Sequence, residues 1–158
     1  MVNPKDVIEI NNYYRVSEQL GTGGQPTPSQ IEALAAKGYR LVINLAKPNS
    51  SRALRDEGAL VTESGMDYAH LPVEWEAPTA ERFDRFRNIL TLYQDVPAFI
   101  HCAMNMRASA FVFLYRVIEL GVLFADAETD MYIIWKPNRV WTCFIDRILS
   151  AQGTTSRG

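Results

Sequence analysis

Cys102 and Arg107 stand with four residues between them, in His101-Cys102-Ala103-Met104-Asn105-Met106-Arg107, after the apolar segment Val96 to Ile100 and before a long apolar run. The pattern reads as a buried strand ending in cysteine, then a tight loop, then an arginine that opens a helix. Such a loop aims backbone amides, a helix N-terminus and a guanidinium at one small volume beside a thiol, and so attracts an anion. The same positive field favours the thiolate, the nucleophilic form of sulfur. Cys102 is therefore the candidate nucleophile. Arg107 is the candidate fork, able to grip two oxygens as charge develops in flight. Ala103, Met104, Asn105, Met106 and Ala108 complete the candidate anion cradle, and Asn105 is among the few non-glycine types that tolerate a left-handed conformation.

His101 is placed either to hold the nucleophile through hydrogen bonds or to serve the core alone. Ser109 is placed either to donate its hydroxyl to a departing thiolate or to sit in the first helical turn. Spacing by itself carries little, because a buried cysteine is also a small hydrophobe and an arginine a common helix-surface cation. Placement between an apolar strand and an apolar helix is the stronger observation, since ligands of open α/β folds sit at the carboxyl ends of strands.

The elements that must position this loop follow from the rest of the chain. Tyr13 to Leu20 reads as a short strand or hairpin arm, closed by the turn-rich Gly21-Thr22-Gly23-Gly24. Thr27-Pro28-Ser29-Gln30 is a capping box with proline at the first helical position; it opens a helix that buries Ile31 and Leu34 and stops near Gly38. A strand is expected over 40–46, a charged helix around 52–64, and a third strand over 67–73. Thr79 caps a helix bearing Phe83, Phe86, Ile89, Leu90 and Tyr93 at three- and four-residue spacing. The next strand is 97–102. The segment 108–120, apolar on nearly every side, is the expected central helix, closed by Gly121. Helices over 123–134 and 139–151 follow, the second capped by Asn138, and 153–158 reads as a frayed end. This alternation defines an α/β domain with a mostly parallel sheet flanked by helices.

The 158 residues suit a single domain, with its core over 13–151. A net charge of −2 gives no general pull toward nucleic acid or an anionic membrane, so neither is an expected partner. No apolar stretch approaches the roughly 18 residues of a membrane span, and the first residues do not begin a signal peptide. Two cysteines make no disulfide framework and point to a reducing, cytoplasmic setting. Two histidines and the lack of a Cys-x-x-Cys pair argue against a metal. Gly21 to Gly24 lacks the setting of a dinucleotide fingerprint, so no cofactor is expected, and Gln25 after it is a candidate for the pocket rim. Oligomeric state leaves no mark in the pattern.

Tyr14-Arg15-Val16 through Gly24-Gln25-Pro26-Thr27-Pro28, then Gly38-Tyr39 and Val42-Ile43-Asn44-Leu45, resemble the opening strand, helix and second strand of the dual-specificity group of cysteine phosphatases. His70-Leu71-Pro72-Val73 resembles the segment leading into their general-acid loop. Trp135-Lys136-Pro137-Asn138, with Trp141 and Phe144, resembles their closing segment. The chain is more similar still to a bacterial family of tyrosine-phosphatase-like proteins of unknown function, which also carries the loop as His-Cys-x4-Arg. The likeness spans about residues 13 to 150.

That resemblance implies a dual-specificity-phosphatase-like fold. It also implies hydrolysis of phosphomonoesters through a phosphocysteine on Cys102, without metal. The substrate would be a phosphorylated protein or a small phosphate ester, with phosphate held by Arg107 and the loop from Ala103 to Ala108. Relatives place an acidic aspartate just after the strand corresponding to 68–73; here Glu74 and Glu76 stand instead, and Glu74 is the preferred candidate. One departure counts against the assignment. Ordinary cysteine phosphatases space the pair as Cys-x5-Arg, whereas rhodanese-type sulfurtransferases often use the shorter Cys-x4-Arg. A sulfurtransferase working through a Cys102 persulfide is therefore an alternative. A non-catalytic anion-binding module is another, motivated by the missing aspartate.

Overall fold

The computed structural model describes residues 3–153. Of the end read as frayed over 153–158, residues 154–158 lie outside them. A 3-10 helix over Pro4–Glu9 precedes β1 (Tyr14–Arg15), β2 (Leu20–Gly23), α1 (Pro28–Lys37), β3 (Leu41–Asn44), α2 (Glu57–Glu63) and β4 (Asp67–His70). There follow α3 (Ala80–Leu92), β5 (Ala98–His101), α4 (Met106–Ile118), α5 (Phe124–Ile134) and α6 (Arg139–Ala151). The five strands form one sheet in the order β1-β2-β5-β3-β4. Only the β1–β2 pair is antiparallel.

β5 therefore lies at the centre, hydrogen-bonded to β2 on one side and β3 on the other, with His101 in register with Gly23 and Asn44. Side chains alternate between the two faces, as the pleat requires. Leu41, Ile43, Ala98 and Ile100 pack with Phe83, Phe86, Phe111, Trp141 and Phe144 beneath α3, α4 and α6. Val42 and Phe99 point the other way, into the core made with Ile31, Leu34, Tyr39 and Val61 under α1 and α2. The result is a sheet with helices on both faces, as the alternation of elements implied.

Local sequence rules explain several helix boundaries. Thr27 accepts from the Gln30 amide at 3.3 Å while Gln30 Oε1 accepts from the Thr27 amide at 2.9 Å, a closed capping box. Gly38 ends α1 at φ 111°. Thr79 and Asn138 cap α3 and α6 with their side chains. α4 begins two residues earlier than its apolar run suggested, at Met106, and Arg107 through Tyr115 are all buried.

Three segments differ from the sequence reading. Gly21 to Gly23 is not a turn but part of the buried strand β2. Its glycines serve close packing: a Cβ on Gly21 would meet the Tyr39 hydroxyl at 2.0 Å, and one on Gly24 would meet the Ala103 carbonyl oxygen at 2.6 Å. The second contact brings this strand end directly against the cysteine loop. The helix expected over 52–64 starts only at Glu57, behind an irregular stretch in which Arg52 holds φ 65°. The strand expected over 67–73 ends at His70, although the Leu71 and Val73 amides still donate to Asn44 and Leu45 carbonyls. Pro72 between them has no N–H to continue the ladder.

Candidate active site

The central strand delivers Cys102 to the carboxyl edge of the sheet, with its amide donating to the Gly23 carbonyl at 3.3 Å. Met104 forms a bridge with Gly24, and the Gln25 amide donates to the Ala103 carbonyl at 3.1 Å. Asn105 then turns the chain at φ 72°, a conformation its short polar side chain tolerates. Its Nδ2 donates to the Asn12 carbonyl at 2.8 Å and to Thr22 Oγ1 at 2.9 Å, which pins the turn from below. Asn12 in return donates to the Met104 carbonyl at 3.0 Å. The loop is thus stitched to the N-terminal segment and to β2.

α4 starts immediately after this turn, without a side-chain cap. Its first backbone bond runs from the Ser109 amide to the Asn105 carbonyl at 2.8 Å. The amides of Met106, Arg107 and Ala108 therefore have no acceptor within the helix, and they carry the positive end of its dipole. A cavity of about 290 Å³ lies at this end, lined by Trp75, Cys102, Ala103, Met104, Met106 and Arg107. Cys102, 1% exposed, shares that cavity with Arg107, 8% exposed. One guanidinium nitrogen of Arg107 donates to the Val73 carbonyl at 2.9 Å, which fixes the fork.

Trp75 forms part of the wall. Its carbonyl accepts from Trp141 Nε1 at 2.8 Å, and its ring lies 5.4 Å from that of Trp135 and 6.0 Å from that of Trp141. Trp135 Nε1 in turn donates to Ser109 Oγ at 3.0 Å. The Ser109 hydroxyl donates to the Met106 carbonyl at 2.9 Å, so its proton already has an acceptor away from Cys102. Glu74, beside Trp75, forms an ion pair with Lys47 at 2.7 Å on the surface. Glu76 is exposed, and neither carboxylate lines the cavity. Sequence and structure thus bring together Cys102, Arg107 and the 103–108 loop, but not Glu74, Glu76 or Ser109.

Gln25 is not at the rim either. It is buried behind the loop, where its Nε2 donates to Glu57 Oε1 at 2.7 Å and to the Pro26 carbonyl at 3.0 Å. The other Glu57 oxygen lies 2.6 Å from His101 Nε2, and His101 Nδ1 lies 3.2 Å from the Cys102 carbonyl oxygen. Tyr68 also donates to Glu57, and its own oxygen accepts from Asn44 Nδ2 at 3.1 Å. Glu57 is 3% exposed and His101 0%. This buried acid is the residue that reading the sequence missed. The available clue was its spacing, since Glu57 and Val61 form the buried face of a short helix, where a carboxylate needs a partner.

Burial alone would raise the Glu57 carboxyl, but hydrogen bonds from His101, Gln25 and Tyr68, with the attraction of His101, outweigh it and hold it below the ordinary carboxylate value. A depressed carboxyl stabilises the fold fully above its unfolded value and loses that contribution as pH falls through its folded value. Unfolding by urea across acidic pH should therefore show stability falling once pH drops below about 4.5, the reference value. Glu57→Gln should flatten that part of the profile. An unchanged acid slope in the variant would contradict this assignment.

A thiol at the end of a central parallel strand, a loop turned by Asn105, an uncapped helix and a guanidinium in one cavity define a protein of the tyrosine- and dual-specificity-phosphatase class. Residues 4–133 match the model of the family described as DSP-PTPase phosphatase fused to NAD+ kinase, and the chain belongs to that family. It is 29% identical to a DUF442 phosphatase-like protein from Shewanella putrefaciens CN-32, whose crystal structure superposes with a TM-score of 0.85 over 95% of this chain and 99% of that one. The TpbA structure from P. aeruginosa, solved with phosphotyrosine, shares the fold at 19% identity, with a TM-score of 0.68 over 97% of this chain and 94% of that one. A beta-lactamase hydrolase-like protein of Agrobacterium fabrum (strain C58) is 26% identical over 118 residues, which are 72% of this chain and 27% of that protein. The chain thus spans just over a quarter of the length of that relative. Among the described residues, no helix is long and apolar enough to cross a membrane.

Proposed function

We propose that this protein hydrolyses aryl phosphomonoesters through a phosphocysteine formed on Cys102. The observation that carries the reading is Cys102 sharing a cavity with the pinned Arg107 fork and the uncapped start of α4. The phosphoryl oxygens bind the Arg107 fork and the loop amides from Ala103 to Ala108. Cys102 Sγ attacks phosphorus, and the S–P bond forms as the P–O bond to the leaving group breaks. Water then cleaves the S–P bond, releasing inorganic phosphate and restoring the thiolate. His101 holds the Cys102 carbonyl throughout. Glu74 is the acid in this scheme: freed from Lys47 and carrying a proton taken up from solvent, it protonates the departing oxygen, and the resulting carboxylate recovers a proton from the attacking water.

Two features favour an aryl leaving group. Trp75, Met104 and Met106 make much of the wall apolar, and a phenolate departs with less help from an acid than an alkoxide does. The phosphotyrosine bound to the structural relative TpbA agrees with this choice. Phosphate release from an aryl phosphate should therefore proceed in excess chelator, and should exceed release from an alkyl phosphate by about 100-fold, the lower part of the span that general acid catalysis covers. Equal rates for the two esters would remove the case for an aryl substrate. The four-residue spacing between Cys102 and Arg107 supports a second reading, sulfur transfer. Thiocyanate formed from thiosulfate and cyanide, with no phosphate released from any ester, would select it. Phosphate binding without turnover of either kind would leave an anion-binding module.

A further inference from the structure

We propose that a second cavity, beside the one that holds Cys102, takes an anionic group at the far end of the same substrate through Lys47 and Arg55. The substrate is then a small aryl phosphomonoester bearing a second acidic group, a carboxylate or another phosphate. The inference deepens the phosphomonoesterase reading above and rests on it for the first anion. The second cavity measures about 490 Å³, against about 290 Å³ for the catalytic one, and falls in the size range of small-molecule sites. It lies between the ends of β3 and β4, which supply Asn44, Tyr68 and His70, and the irregular stretch that leads into α2.

Hydrogen-bond capacity decides what this cavity can hold. Asn44 spends its Nδ2 on the Tyr68 hydroxyl at 3.1 Å and its Oδ1 on the Ala46 amide at 2.8 Å. Tyr68 in turn donates to Glu57, whose oxygens also receive Gln25 Nε2 at 2.7 Å and meet His101 Nε2 at 2.6 Å. His70 Nε2 donates to the Ala46 carbonyl at 2.7 Å, since a backbone carbonyl only accepts. The neutral and acidic groups of the lining are thus committed, apart from Nδ1 of His70. The cations are not. Arg55 has no hydrogen-bond or ion-pair partner among the described residues. Lys47 meets Glu74 at 2.7 Å, which leaves donors of its ammonium to spare. The unspent capacity is therefore positively charged N–H groups, and these select an anion. Pro48, Ala53 and Leu54 give the same cavity an apolar wall for the body that carries it.

Position joins this cavity to the catalytic one. Both lie at the carboxyl edge of the sheet, where ligands of open α/β folds sit. The Leu45 amide donates to the His101 carbonyl at 2.8 Å, which ties the two strand ends together. Lys47 is two residues beyond Leu45, and Cys102 is one beyond His101. At no more than about 3.6 Å per residue, their backbones lie within about 15 Å, a span one small molecule can bridge. The Lys47–Glu74 pair stands between the cavities: Lys47 lines one, and Trp75, the neighbour of Glu74, lines the other.

The test needs no turnover. Para-phosphonomethyl phenyl compounds, which are not hydrolysed, are prepared with flexible chains of graded length ended by a carboxylate, a phosphonate or a neutral carboxamide. In isothermal titration of the wild-type protein, an anionic end should bind about 10-fold tighter than the amide at the best length, the scale of one hydrogen bond between charged groups. Arg55 is exposed, so its replacement spares the fold. Arg55→Ala should cut the preference for the anion by at least half, Arg55→Lys should restore part of it, and Arg55→Ala combined with Lys47→Ala should abolish it. Equal binding of anionic and amide ends to wild type at every length would overturn the proposal, as would a preference unmoved in the double variant. So would a chain ended by carboxylate but lacking the phosphonomethyl group that bound as tightly as the complete compound, because the cavity would then serve a separate ligand. Failure of the hydrolysis reading shows elsewhere: no phosphate released from any ester, with the anion preference intact, strikes the chemistry assigned to Cys102 and leaves the two-anion ligand standing.

Discussion

Replacing Cys102 with serine should lower aryl phosphate turnover by about four to six orders of magnitude, the scale seen when a covalent nucleophile is removed. The reason lies in the acid–base chemistry of the two side chains. A cysteine thiol is by nature a far stronger acid and a better nucleophile than a serine hydroxyl. Serine nearly preserves the volume at a position that is 1% exposed, so the fold and the anion site should survive. Isothermal titration with inorganic phosphate should accordingly give a Kd within about threefold of wild type, under half the 1.4 kcal/mol that a tenfold change represents. Retained phosphate binding with lost turnover separates a nucleophile from a structural cysteine. Turnover within tenfold of wild type would show that Cys102 does not form the covalent bond.

The second large effect is expected at Arg107. Arg107→Lys keeps a positive charge but removes the planar fork, and with it the ability to hold two phosphoryl oxygens while donating to the Val73 carbonyl. Removing one oriented donor from a transition-state site costs about 10²–10³ in kcat. The same loss is expected here in kcat/KM, with weaker inhibition by vanadate, whose trigonal oxygens need the fork most. The Val73 carbonyl also loses its buried donor, which carries a stability cost of about 1–3 kcal/mol. Measuring kcat/KM beside urea unfolding separates the two consequences. A stability loss with kcat/KM unchanged would mean that Arg107 only braces the loop after β4.

Much of the site was legible because its determinants are local. The apolar strand before Cys102, the apolar helix after Arg107 and the αL-tolerant Asn105 lie within one short segment, and each follows from residue type and period. The Thr27 capping box and the Gly38 stop are legible for the same reason. What escaped the sequence depends on distant partners. Gly21 to Gly24 has the composition of a turn, yet the ring of Tyr39 and the backbone of the cysteine loop require glycines in a strand. Glu57 reads as one more surface charge until α2 turns it toward His101, 44 residues away in sequence. Gln25 shares that fate, because its partner Glu57 is set by tertiary packing.

The surroundings of the acidic loop were hidden for another reason. Glu74 sits where an acid belongs, but Lys47, on the turn after β3, supplies a countercharge that no local pattern reveals. An exposed pair of this kind is worth under about 1 kcal/mol, so releasing Glu74 during the reaction costs little. The short Cys-x4-Arg loop has a similar lesson. Its turn residue, Asn105, is tied to Asn12 and Thr22, distant partners that the residue count does not reveal.

The most direct measurement is rapid acid-free quenching of the enzyme during turnover of an activated aryl phosphate, followed by mass spectrometry of the peptide containing Cys102. A fast leaving group lets formation of the intermediate outrun its breakdown, so that it accumulates. One added phosphoryl group on Cys102, absent in Cys102→Ser, is the expected result. A phosphoryl group on any other residue, or phosphate release with Cys102 unmodified throughout, would contradict it.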